Sequence, residues 1–174
     1  PAGRRELDRA RCRVTWTGRN FLNSHEGEVA VAGGHVDCDA GGLQGGRIVL
    51  DLRRLTCADL AGSDLHDVLI AHLESDDFFD TERWPTATYT VKSGRWLDGA
   101  APGAPNLAVA GELTLRGQTH PLDCVLAAGS APDGTVGAQG ALAFDRTRWG
   151  VNYGSGRLYR RLAGHLVNDT VELG

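Results

Sequence analysis

No apolar run in this chain of 174 residues approaches the roughly 20 residues that a membrane-spanning helix requires, and no signal peptide is present. The sequence therefore predicts no membrane-spanning helix. Lysine and arginine form no long stripe, and the formal net charge is -4, so the electrostatic footprint of a nucleic-acid-binding protein is missing. The four cysteines, Cys12, Cys38, Cys57 and Cys124, show no C-x-x-C spacing. The six histidines show no H-x-H, H-x-x-x-H or H-E-x-x-H spacing. No metal site or cofactor is expected from such a pattern. Methionine is absent, whereas the 24 glycines are about twice the usual share and lie scattered within apolar alternation. That distribution points to bent strands and turns rather than disorder.

What is present is mostly period-2 alternation, the signature of strands with one apolar face. Cys12, Val14 and Trp16 alternate with charged or hydroxyl residues, and Gly27, Val29 and Val31 do the same until Gly33-Gly34 permits a bulge that shifts the phase. Ile48, Leu50 and Leu52 share a face, as do Ala87, Tyr89 and Val91, and again Leu107, Val109, Gly111, Leu113 and Leu115. Gly117-Gln118 reads as a tight hairpin turn and Pro132-Asp133-Gly134 as another, after which Val136, Ala138, Gly140, Leu142 and Phe144 are expected to face one way. A strand from Val167 to Leu173 closes the chain. Cys12 and Cys124 fall where a small hydrophobe fits, so reduced thiols are expected ahead of disulfides.

Two segments break the alternation. From Ser63 the period becomes helical: Ser63 can cap, Asp64 and Asp67 suit the positive end, and Leu65, Val68, Leu69, His72 and Leu73 share a face, with Ile70 mostly opposite. Leu158 to Leu166 reads as a second short helix, with Arg157, Tyr159, Arg160 and Arg161 forming a solvated basic cluster that can meet an anionic headgroup. The expected architecture is a single all-β domain over 1–174, an extended antiparallel barrel of about eight strands with one or two short helices.

After the first helix, Phe78-Phe79 stands among Asp76, Asp77 and Asp80. One ring is expected to plug the barrel base, another to line a cavity, while the acids stay wet. Arg146 is expected to be buried against one of those three acids, with an arginine stacked on Trp149 as a variant. His72 is expected to be a satisfied core histidine. His25-Glu26 can in principle do acid/base work, and no complete mechanism is expected around it.

These pieces resemble the YceI-like family of polyisoprenoid-binding, lipocalin-like bacterial proteins. The matching runs are Trp16-Thr17-Gly18 with Ser24-His25-Glu26-Gly27, Gly42-Leu43-Gln44-Gly45-Gly46, His72 to Asp80 with Trp84-Pro85-Thr86-Ala87, Gly111 to Thr119, and Arg146-Thr147-Arg148-Trp149-Gly150-Val151. The resemblance spans about residues 8 to 173. It implies a lipocalin-like eight-stranded barrel around an elongated tunnel for a long-chain isoprenoid, such as the tail of a quinone, with no enzymatic activity. Family members are often periplasmic, yet four cysteines expected to be reduced and no visible signal leave the compartment open between periplasm and cytoplasm.

The tunnel is expected to be lined by members of the set Val14, Trp16, Val29, Val31, Ile48, Leu50, Leu69, Leu73, Phe78, Tyr89, Val91, Leu113, Leu142, Phe144 and Trp149. Gly111 and Gly140, placed on inward faces, are expected to leave room for the ligand, so that Gly140→Leu abolishes uptake. Two other readings stand beside the carrier: a partner-docking or stress-related barrel packed solid, and an enzyme acting on an isoprenoid with His25, His72 or Glu26 as acid or base. A monomer or a homodimer fits any of the three.

Overall fold

The computed structural model describes residues 2–20, 22–155 and 167–174. The basic cluster of Arg157, Arg160 and Arg161, Tyr159 and the expected helix from Leu158 to Leu166 lie outside the described residues. Within them are eleven strands, one α-helix and a 3-10 turn: β1 (Gly3–Glu6), β2 (Val14–Asn20), β3 (Ser24–Asp39), β4 (Gly42–Leu55), α1 (Asp64–Glu74), β5 (Thr86–Trp96), β6 (Leu107–Leu115), β7 (Gln118–Pro121), β8 (Cys124–Ser130), β9 (Val136–Gln139), β10 (Leu142–Asp145), the 3-10 turn Arg146–Trp149, and β11 (Val167–Leu173).

The strands form one curled antiparallel sheet in the order β10-β11-β2-β3-β4-β5-β6-β8-β9, with β1 paired to β3 and β7 to β6. The architecture is thus the expected antiparallel barrel-like sheet, with the count raised because long strands are interrupted. The run after the Gly117 turn is split at Leu122-Asp123 into β7 and β8, and the one from Val136 to Phe144 breaks at Gly140-Ala141. Among the described residues no ladder joins β9 to β10, so the sheet curls round without closing through hydrogen bonds at that seam. The bulge expected at Gly33-Gly34 is present as a register shift between Val31 and Gly33 against β4.

Alternation explains the core. Val29, Val31, Leu50, Leu52, Ala87, Leu113 and Leu115 are buried from the concave face, and Leu73, Phe78, Phe144, Trp149 and Val151 close over them. A second, smaller cluster of Val91, Leu107 and Val109 lies toward the far end. The β6–β7 hairpin turns through Arg116 (φ 51°) and Gly117 (φ 70°), both left-handed, as a two-residue turn between paired Leu115 and Gln118 demands. A side chain at Gly117 would also strike the Trp84 ring.

Ser63 caps α1 as expected, its hydroxyl accepting from the Leu65 amide at 3.2 Å. The inward face of α1 differs from the expected stripe. Leu65 and Val68 are 61% and 64% exposed, whereas Leu69, Leu73 and Ile70 pack on the core. The helix touches the sheet chiefly through its C-terminal half, so its N-terminal half carries Leu65 and Val68 into solvent.

Two glycine expectations are corrected. Gly140 is exposed, and a Cβ there would sit 2.7 Å from Leu126 Cδ2 and 2.9 Å from the Val125 carbonyl oxygen. Val136 and Ala138 are exposed with it, since among the described residues β9 pairs only with β8 and extends past the core. Gly111 does lie inward, but the Tyr89 ring occupies the room it leaves, its hydroxyl donating to the Leu122 carbonyl at 2.7 Å. Burial pushes the Tyr89 hydroxyl well above its ordinary pKa, which keeps it a neutral donor.

Candidate functional site: an apolar cavity under the helix

Between the concave face of the sheet and α1 lies a cavity of about 320 Å³. Its wall comes from many elements at once: Trp16 of β2, Val29 of β3, Leu50, Leu52 and Leu55 of β4, Leu69 and Leu73 of α1, Ala87 of β5, Leu113 and Leu115 of β6, Phe144 of β10, and Val171 and Leu173 of β11. Each strand contributes because period-2 alternation turns every second side chain inward. Arg19, Asn20 and His25, on β2 and β3, are the polar residues on the side nearest the β2–β3 turn.

An aromatic cage seals the part below α1. Phe78 packs edge-on to His72 at 5.2 Å and lies 6.0 Å from Phe79 and 5.7 Å from Tyr153, while His72 meets Tyr153 edge-on at 4.5 Å. Phe78, Phe79, His72 and Tyr153 all line the cavity. Both rings of the Phe78-Phe79 pair therefore face it, while Asp76 and Asp77 stay exposed. The loop that carries them is fastened by Arg116, whose guanidinium donates to the carbonyls of Asp76 at 2.6 Å and Phe78 at 2.7 Å. The sequence offered no sign of this role, since the two ends of the contact stand 38 and 40 positions apart.

Arg146 is buried and lines the cavity, its guanidinium lying 5.4 Å from the centre of the Phe78 ring. It donates to the carbonyls of Val151 at 2.7 Å and Asn168 at 2.9 Å. Its carboxylate partner is Asp169 at 3.9 Å, not Asp76, Asp77 or Asp80 as expected. The 3-10 turn carries the Arg146 guanidinium over the Phe78 ring and on to Asn168 and Asp169 of β11, and the cation that holds the carbonyls of the Phe78 loop is Arg116. Burial lowers the Arg146 pKa, and the charges of Asp169 and Asp145 work against that. The arginine over Trp149 is Arg148, at 5.2 Å.

Of the fifteen residues expected to line a tunnel, Trp16, Val29, Leu50, Leu69, Leu73, Phe78, Leu113 and Phe144 do line the cavity. The other seven do not. Val14, Ile48 and Leu142 are half-buried and pack against the core, and Tyr89 fills the space over Gly111. Val91 belongs to the second cluster, and Val31 lines a neighbouring open groove of about 990 Å³ on the Leu7–Arg13 side. Trp149 is solid core, fully buried, with its indole N–H donating to the Leu113 carbonyl at 2.8 Å.

Close to the His25 side stands a polar group that spacing alone did not reveal. His25 Nδ1 lies 2.7 Å from one oxygen of Asp59, while the other oxygen accepts from the Glu26 amide at 2.9 Å and the Cys57 thiol at 3.1 Å. Burial raises the Cys57 thiol to about 11, and its hydrogen bond to Asp59 adds to the rise. Burial opposes ionisation of Asp59, but the donors from Glu26, Cys57 and His25 outweigh it and hold this carboxyl well below the usual range. All four cysteines are free thiols.

A curled antiparallel sheet with one helix over an apolar cavity defines a lipocalin-like binding fold. The profile of the YceI-like domain matches residues 6–174, and the chain belongs to that family. BcnA of Burkholderia cenocepacia is similar in structure, with a TM-score of 0.71 and 18% identity over 96% of this chain and 95% of that one. So is a polyisoprenoid-binding domain of Saccharophagus degradans implicated in plant cell wall breakdown, at 0.68 and 17% over 99% and 95%. The YceI protein of Campylobacter jejuni follows at 0.54 and 18%, over 88% and 78%. At these identities the likeness is one of fold. No curated protein sequence matches the chain.

Proposed function

We propose that this protein binds a long-chain isoprenoid, a polyprenyl lipid or the tail of an isoprenoid quinone, in the cavity beneath α1, and that it does so without chemical change to the ligand. The observation that carries the reading is the cavity itself, about 320 Å³ and walled almost throughout by aliphatic and aromatic side chains. That volume is at the small end of the roughly 300–1,000 Å³ typical of ligand pockets, and suits a segment of a flexible tail. Each buried methylene contributes about 0.8 kcal/mol, so a few isoprenoid units bind through apolar contact alone, before ordering costs are subtracted. The polyisoprenoid-binding neighbour of the same fold supports this choice of tail.

The non-catalytic reading rests on the arrangement of the polar groups. His72 packs edge-on against Phe78 and Tyr153, and its Nε2 lies 4.0 Å from the carboxylate of exposed Asp77, an arrangement with no nucleophile in it. At His25 the carboxylate of Asp59 stands between thiol and imidazole, the reverse of a nucleophile–base–orienter order. A thiol raised to about 11 is also protonated and unreactive at neutral pH. A solid, partner-docking barrel has no use for such a cavity.

The test is a titration of lipid-free protein with an isoprenoid quinone, read as quenching of tryptophan fluorescence, since Trp16 lines the cavity. Saturable one-to-one quenching, reversed by a polyprenol with no quinone ring, is the expected result. Quenching that a polyprenol cannot reverse, or none with folded protein, overturns the proposal.

A further inference from the structure

Asp59 has an evident structural role, since by accepting from the Glu26 amide it fastens the segment after β4 to the start of β3. That role requires neither an imidazole nor a thiol. Yet both converge on it, and the donor atoms of His25, Cys57 and Asp59 all lie within 4.8 Å of one another. They come from two separate segments, the start of β3 and the residues following β4, so only the fold assembles them.

We propose that His25, Cys57 and Asp59 form a binding site for a divalent borderline-soft cation, Zn²⁺ fitting best. One nitrogen, one sulfur and one oxygen donor form a mixed set that excludes the hard ions Mg²⁺ and Ca²⁺, which take oxygen ligands, and matches the N, S and O ligation of zinc. The spacing is close to what such an ion needs. A tetrahedral zinc with bonds of about 2.0 Å to nitrogen and oxygen and about 2.3 Å to sulfur sets its ligands about 3.3–3.5 Å apart. His25 Nδ1 lies 2.7 Å from Asp59 Oδ2 and Cys57 Sγ 3.1 Å from Asp59 Oδ1, so the two contacts use different oxygens of one carboxylate. Opening them by about 0.4–0.6 Å, with the carboxylate turning toward the ion, brings the three donors to zinc spacing.

The surroundings agree. The side chains of His25 and Asp59 are 29% and 31% exposed, which gives the ion a way in, while Cys57 is 1% exposed and fixed. The adjacent His66 is not available as a fourth ligand, because its Nε2 accepts from the Cys57 amide at 3.4 Å. The fourth position is left to water or to an oxygen of another molecule. Binding displaces the Cys57 proton to the buffer, as a cation-bound thiol requires even when burial has raised it. Because His25 also belongs to the wall of the apolar cavity, the ion stands beside that cavity.

The experiment uses the tag-free full chain, stripped with a chelator and titrated with Co²⁺ as a spectroscopic substitute and then with Zn²⁺. Expected are one equivalent of Co²⁺, a thiolate-to-cobalt charge-transfer band with the intense visible bands of a four-coordinate site, and displacement of the cobalt by Zn²⁺. Cys57→Ala, which keeps the other three cysteines, loses the charge-transfer band. His25→Gln weakens binding by at least about 10-fold and keeps the test decisive if Cys57→Ala does not fold. The proposal is overturned by the absence of a charge-transfer band in the folded parent, or by a band and affinity that survive His25→Gln unchanged.

Discussion

Replacing Ala87 by phenylalanine places a ring in the middle of the cavity without adding a charge or breaking a hydrogen bond. Ala87 is 3% exposed, stands directly opposite Leu50 on β4, and lines the cavity together with Leu113 and Leu115 of the next strand. The added ring takes roughly the room of one isoprenoid unit, about five carbons, which at about 0.8 kcal/mol each amounts to about 4 kcal/mol of lost burial. The displaced segment regains freedom, so the net loss is about 2–4 kcal/mol. In Kd this is about 30- to 1,000-fold. Because the ring enters space that is already open, it avoids most of the roughly 1–3 kcal/mol that overpacking a filled core costs, and the ligand-free protein should melt near the parent's temperature. The assay is the quinone titration on parent and variant side by side, with thermal unfolding of both. A folded Ala87→Phe protein with parental affinity would refute the placement of the ligand.

Other substitutions separate cavity from scaffold. Gly140→Leu, aimed at β8 and not at the cavity, should leave quinone affinity unchanged while lowering stability by about 1–3 kcal/mol, as denaturant unfolding and the same titration will report. At Gly27, where a Cβ would overlap the Thr56 carbonyl oxygen, Gly27→Ala should cost more than about 3 kcal/mol; a loss below about 1 kcal/mol in urea unfolding contradicts the close approach of β3 to that segment. Trp149→Phe removes the indole donor from the buried Leu113 carbonyl and should destabilise by about 1–3 kcal/mol without weakening ligand binding by a comparable factor, which calorimetry and titration together check.

Much of this fold is legible in the sequence because strand alternation is a local property. Val29, Leu50 and Leu113 face inward for the reason their neighbours face outward, and eight of the fifteen expected lining residues reach the cavity. What was not legible depends on where each strand stops meeting the core. Val136, Ala138 and Gly140 alternate as well as any inward face, but they lie on a hairpin that runs past it. Tyr89 and Val91 do point inward, and only the packing over Gly111 and the second cluster decides that they fill space rather than line it. Likewise Leu65 and Val68 share the apolar stripe of α1, yet the helix docks by its other end.

The polar groups were the hardest to read. The Arg146–Asp169 pair, the Arg116 clasp on the Phe78 loop and the His25–Asp59–Cys57 cluster each join residues from separate segments, and no spacing rule links them. Buried cations and carboxylates find partners by proximity in the fold, so sequence identifies that Arg146 needs one and not which one it takes.

The most direct test of the central claim is native mass spectrometry of the purified protein, before and after incubation with isoprenoid quinones and polyprenols, followed by organic extraction and mass analysis of what is bound. One polyprenyl or prenylquinone molecule per chain, recovered chemically unaltered and absent from Ala87→Phe, is the predicted result. A parent that remains free of lipid under those conditions, or that returns the lipid chemically changed, contradicts it.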